Sequence, residues 1–83
     1  MHASDNPLPG DVVIHCREER FDRLVTDGYV ITIWPDRETI HSGPYQSYAY
    51  ALQQAQRMNQ TRQAHIWRDR AAPGRPELLE DVT

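Results

Sequence analysis

The chain has 83 residues, with nine positive charges that are all arginine, twelve acidic residues and four histidines, for a net charge of −3. An acidic chain without lysine is a poor electrostatic match for nucleic acid, and no apolar run is long enough to span a bilayer. The lone Cys16 excludes an internal disulfide and argues against a secreted scaffold stapled by cystines.

A domain of this size buries a modest core. The candidates are Val12, Ile14, Leu24, Val30, Ile31, Ile33, Ile40, Leu52, Met58 and Ile66. Each buried aliphatic contributes roughly 1.5–3 kcal/mol before chain entropy is subtracted, so a second copy is a plausible source of added stability. Charge is segmented. Residues 1–38 carry four arginines and eight acids, for −4; residues 39–68 carry three arginines and no acid; residues 69–83 carry two arginines and four acids, for −2.

In chain order, residues 1–10 hold two prolines and a glycine and read as a flexible lead-in without the basic and apolar sections of a signal peptide. A cytoplasmic location is the default expectation. DVVIHCR (11–17) is β-branched and predicts a strand. EERFDRLVTDG (18–28) is ambiguous: Phe21, Leu24 and Val25 have helical spacing, yet FDRLV would equally extend a strand. YVITIW (29–34) is a clear strand. Trp34-Pro35-Asp36-Arg37 fits a type I turn, ETIHS (38–42) returns, and Gly43-Pro44 ends it. Ser47 is placed to cap a helix. On that helix Tyr48, Ala51, Leu52, Ala55 and Met58 form one stripe, and its end falls near residues 59–61. QAHIWRD (63–69) predicts a closing strand, and residues 71–83 read as a tail, although ELLEDV could dock. The expected fold is α+β: one domain over 11–70, with a small antiparallel sheet of three or four strands, one main helix on one face and a β-β-β-α-β order.

GYVITIW (28–34), a return strand, the Tyr-x-Ser approach to an alanine-containing helix (YQSYAYALQQAQRM) and the closing AHIWRD resemble a group of small bacterial domains of unknown function. Those domains look like strand–strand–helix–strand units with a Gly-Trp-x-Val first strand and a Thr/Ser-capped helix. The resemblance spans about residues 28–70 and implies the fold, with no activity attached. This chain departs from the pattern at Tyr29, where tryptophan is usual, and at Tyr50, where an acid is common.

No motif of catalytic specificity is present: there is no nucleophile elbow, no phosphate-cradling loop and no dinucleotide fingerprint. His15, His41 and His65 each sit beside an aliphatic residue in a predicted strand, so alternation places all three on one face. Convergence on a zinc ion is conceivable there, but no paired spacing preorganises it, and solvent-facing polar residues are the favoured reading; no metal and no cofactor is expected. Cys16 reads as a half-buried structural residue. Nucleic-acid binding through Arg57, Arg62, Tyr29, Trp34 and Trp67 is the alternative class.

One surface stands out. Opposite the packing stripe the helix carries Tyr50, Gln53, Gln54 and Arg57, with Tyr50, Gln54 and Arg57 in a row at i, i+4, i+7. Tyrosine and arginine are enriched at interface hot spots, and exposed helices ordinarily use Glu/Lys pairs that this one lacks. The sequence therefore points to a small non-catalytic interaction or accessory module that binds a protein partner or itself through these residues or a free sheet edge.

Overall fold

The structure is a computed structural model that describes residues 6–21, 24–70 and 78–83. Strands β1 (Val12–Phe21) and β2 (Leu24–Ile33) pair antiparallel in unbroken register, from Val12 opposite Ile33 to Phe21 opposite Leu24. The ambiguous segment is thus strand on either side of residues 22 and 23, which lie outside the described residues. Once Val12–Ile14 has paired with Ile31–Ile33, extending the ladder satisfies each further backbone group, and this overrides the helical spacing around Phe21.

The connection that follows differs from the expected turn and return strand. Asp36 N–H donates to the Ile33 carbonyl at 2.9 Å, so the turn starts one residue earlier, with Pro35 third and the Trp34–Pro35 bond cis. The Asp36 side chain then accepts from the Thr39 N–H at 3.0 Å, a local bond that draws residues 36–39 away from a ladder. Strand β3 is Ser42–Tyr45, later than expected, and Ile40 is exposed. Gly43, expected to stop the strand, lies within it. Its φ is +114°, and a Cβ there would meet the Tyr29 carbonyl oxygen at 2.7 Å, so only glycine lets β3 approach β2.

Helix α1 (Tyr48–Arg62) begins where Ser47 predicts. Ser47 Oγ accepts from Tyr50 N–H at 3.2 Å. The helix ends at a left-handed Gln63, and the Asn59 amide closes it by accepting from Ala64 N–H at 2.9 Å and donating to the Ala64 carbonyl at 2.6 Å. Strands β4 (Ile66–Asp69) and β5 (Leu79–Asp81) complete a five-stranded sheet of order β3-β2-β1-β4-β5. The expected tail therefore contributes an edge strand, closed by Val82 N–H to the Ile66 carbonyl at 2.8 Å and by the Thr83 hydroxyl against Ile66.

The α+β architecture and the one-helix layer are as the sequence implies, but the sheet is mixed and has five strands. Strand β1 pairs parallel with β4, Val12 to Ile66 through Ile14 to Arg68, and every other pairing is antiparallel. The direction follows from counting reversals: β3 runs with β1, and α1 uses the next reversal, so β4 must run with β1 as well. The helix crosses from one sheet edge to β4 over β2 and β1.

That path fixes the core. Val12, Ile14, Ile31 and Ile66 face the helix and meet Ala51 and Ala55, all essentially inaccessible, with Tyr48, Leu52, Met58, Tyr29 and Tyr45 packed around them. Arg68 lies 4.1 Å from the Tyr48 ring centroid, a cation–π contact at the rim. The alanines permit close helix–sheet contact. Replacing Ala55 by leucine should therefore overpack this layer and lower stability by about 1–3 kcal/mol in urea denaturation, while Gln53→Leu on the exposed side should change it by less than about 0.5 kcal/mol. Equal effects of the two substitutions would contradict the assigned packing.

Candidate binding surface at the start of the helix

Side chains on a helix lean toward its N-terminus. Tyr50, in the first turn, therefore leans back toward the chain that enters the helix, and its ring meets Tyr45 of β3 at a centroid separation of 5.3 Å and an interplanar angle of 57°. Tyr45 is held from below by a hydrogen bond between its hydroxyl and Ser42 Oγ. Pro44, Tyr45, Gln46, Ser47 and Tyr50 line an open cleft of about 390 Å³ at this corner. Tyr50 remains 50% exposed, an aromatic ring held by a neighbour yet open to solvent.

The remaining residues of the expected row continue from it. Gln53 and Arg57 are exposed and Gln54 is half-buried. By helix geometry Arg57 lies about 10 Å along the axis from Tyr50. Sequence reasoning missed Tyr45 and Pro44 because it treated the residues before Ser47 only as an approach to the helix. The signal was present: a capped helix start reverses the chain, so a residue shortly before the cap and one in the first turn become neighbours.

The opposite face of the sheet holds the polar groups that looked most chemical. The parallel register sets Ile14 beside Arg68, which puts Asp69 next to His15 and leaves His65 before β4 begins. His15 Nδ1 lies 2.9 Å from Asp69 Oδ2, and His15 Nε2 lies 2.8 Å from Thr32 Oγ1. An ionised carboxylate only accepts, so Nδ1–H donates to Asp69, and the neutral ring accepts the Thr32 hydroxyl at Nε2. Burial pushes the His15 pKa below its ordinary value, against the pull of Asp69; the nearby Arg37 charge lowers it further. His65 pairs instead with Asp81 at 3.0 Å, and His41 is exposed on the β2–β3 connection. The three imidazoles do not converge, and among the described residues no group of three or more His, Cys, Asp and Glu side chains is arranged to hold a metal ion.

The Thr32–His15–Asp69 order is that of a hydroxyl–imidazole–carboxylate relay. Thr32 is only 1% exposed, however, so its hydroxyl is buried among the strands. The array ties β2, β1 and β4 together. Cys16 is exposed on the helix side of β1, not half-buried as expected. Trp67 is buried, with its indole N–H donating to Asp11 at 2.9 Å, so it presents no face for base stacking, and the half-buried Tyr29 meets Tyr48 in a T-shaped contact at 5.9 Å. Trp34 lines a broader open cleft of about 790 Å³ with Pro7, Leu78 and Leu79, crossed at its rim by the exposed Arg70–Glu80 pair at 3.4 Å. No helix among the described residues is long and apolar enough to cross a membrane.

Compared with models of protein families, with curated proteins and with solved structures, the chain matches none. Its functional reading rests on its own residues.

A depressed imidazole pKa has a signed consequence. Between the folded and unfolded pKa values the unfolded chain binds more protons, so stability is complete above about pH 6.5 and is lost as the pH falls below it. Equilibrium denaturation from pH 7.5 to 5 should show this loss in the wild type and a smaller loss in His15→Gln. Identical slopes would remove His15 as the cause.

Proposed function

We propose that this protein is a small non-catalytic interaction or accessory module that engages a protein partner through the Tyr45–Tyr50 corner, with Gln53, Gln54 and Arg57 extending the contact along the helix. The observation that carries this reading is the half-exposed Tyr50 ring braced on Tyr45. A large ring already fixed by a neighbour loses little freedom on binding, which is the property that makes tyrosine an effective anchor. Charge supports the same surface. Residues 39–68 contain no acid, and the exposed side of the helix offers glutamine amides and the guanidinium groups of Arg57 and Arg62, which adapt their hydrogen bonds to a partner without desolvating a carboxylate.

The non-catalytic part of the proposal is supported by burial of the Thr32 hydroxyl in the Thr32–His15–Asp69 array. A second copy through this corner, or through the β3 edge, is one form the partner can take. Nucleic acid is the competing partner, through Arg57 and Arg62, both exposed; burial of Trp67 counts against its stacking component.

The test is affinity capture from source lysate, with and without nuclease, comparing wild type with a Tyr50→Ala/Arg57→Ala double variant whose helix content is checked by circular dichroism. The expected result is a protein retained by wild type, indifferent to nuclease and moderate salt, and weakened in the variant by at least about 2 kcal/mol, or roughly thirtyfold. Equal capture by both proteins would overturn the assigned surface. Loss on nuclease treatment, with a steep salt dependence, would transfer the reading to nucleic acid.

A further inference from the structure

The corner where Tyr50 rests on Tyr45 is rich in free donors. Among the described residues, the side chains of Tyr50, Gln53, Gln54 and Arg57 make no hydrogen bond or ion pair. All four carry N–H or O–H groups, and no carboxylate stands among them, because residues 39–68 contain no acid. We infer that this corner takes a proline-rich segment in the extended polyproline II form, with an acidic residue beside the prolines that meets Arg57. The inference rests on the corner being a protein-binding surface and adds the chemistry of its partner.

Shape and hydrogen bonding point to this occupant. Pro44, Tyr45 and Tyr50 give the cleft two inclined rings and a proline, with Gln46 and Ser47 beside them. Polyproline II has no internal hydrogen bonds, so its carbonyls stay exposed and take donors, while its prolines have no N–H to satisfy. A donor-rich aromatic cleft meets that demand. An added β-strand needs a regular edge. Here β3 is four residues long, Pro44 offers no N–H, and Gly43 at φ +114° interrupts the extended run. A docked helix needs a long apolar groove, whereas the row beyond Tyr50 is Gln53, Gln54 and Arg57.

Charge selects the flank. Arg57 is exposed and lies about 10 Å along the helix axis from Tyr50. Polyproline II advances about 3.1 Å per residue, so a carboxylate about three residues from the proline on Tyr50 reaches the guanidinium. With three arginines and no acid over residues 39–68, this part of the chain favours an acidic flank over a basic one.

The experiment is an NMR titration of the full chain with capped synthetic peptides: hexaproline carrying triglutamate at either end, the same peptides with alanine for proline, and the same with trilysine for triglutamate. The expected result is saturable shifts of amides within 45–57 for an acidic proline peptide, with binding weakened at least about tenfold in Tyr50→Ala. Arg57→Glu, whose fold is checked by its own spectrum, should weaken the acidic peptide by roughly threefold and strengthen the trilysine peptide. Equal binding of the alanine peptides, an unchanged preference for acid in Arg57→Glu, or no saturable shift at the corner would overturn the inference. If the corner stays unmoved while lysate capture still depends on Tyr50, the inference falls and the interaction reading stands. If capture is indifferent to Tyr50 as well, both fall.

Discussion

The Asp11 carboxylate holds three parts of the chain at once. Its Oδ2 accepts from Leu8 N–H and from the Trp67 indole, both at 2.9 Å, and its Oδ1 accepts from His65 N–H at 3.3 Å. The residue is buried immediately before β1, where a carboxylate without donors would be strongly disfavoured. Satisfied in this way, it fixes the chain at Leu8, the entry to β4 and the indole on the far face in one geometry. The Val12 N–H bonded to the His65 carbonyl at 3.0 Å continues the same junction. The parallel β1–β4 pairing, which lets the helix cross the sheet, begins at this point.

From that junction the two faces of the sheet diverge. On one, alternate residues of β1, β2 and β4 present aliphatic side chains to a helix whose contact residues are alanines. On the other, the same strands present Val13 and Val30 together with Thr32, His15, Asp69 and Trp67, so the central strands are buried on both sides over Val12–Ile14 and Val30–Thr32. The polar residues there are paired with one another, and no buried side-chain nitrogen or oxygen among the described residues lacks a hydrogen-bond partner. The Thr32, His15 and Asp69 side chains thereby join three strands. Among the described residues, the helix start, where Tyr50 rests on Tyr45, and the cleft beside Trp34 stay open.

Much of this was legible in the residues. The β-branched runs at 12–14 and 29–33, the Ser47 cap and the alanine stripe record local preference and one-sided burial, both of which act over a few residues. What was not legible depended on contacts distant in sequence. The direction of β4 follows from counting chain reversals, yet the expected antiparallel sheet ignored the reversal used by the helix. ETIHS has strand composition, but the Asp36–Thr39 bond and the close approach allowed by Gly43 moved β3 downstream. His15 reads as a candidate ligand until the β1–β4 register places Asp69 beside it. Of the proposed surface, the helix spacing gave Tyr50, Gln53, Gln54 and Arg57; the ring that braces Tyr50 came from outside the helix.

The claim on which this account turns is that the buried polar groups are structural ties centred on Asp11. Native-state hydrogen exchange of the wild type and Trp67→Phe, which removes one of the three donors to Asp11, tests it most directly. The account predicts that amides of Ile66–Arg68 and Val82 lose protection in the variant more than those of α1, because the tie secures β4 and, through it, β5. Equal loss across helix and strands, or none at β4, would show that the Asp11 junction does not hold the sheet together in this way.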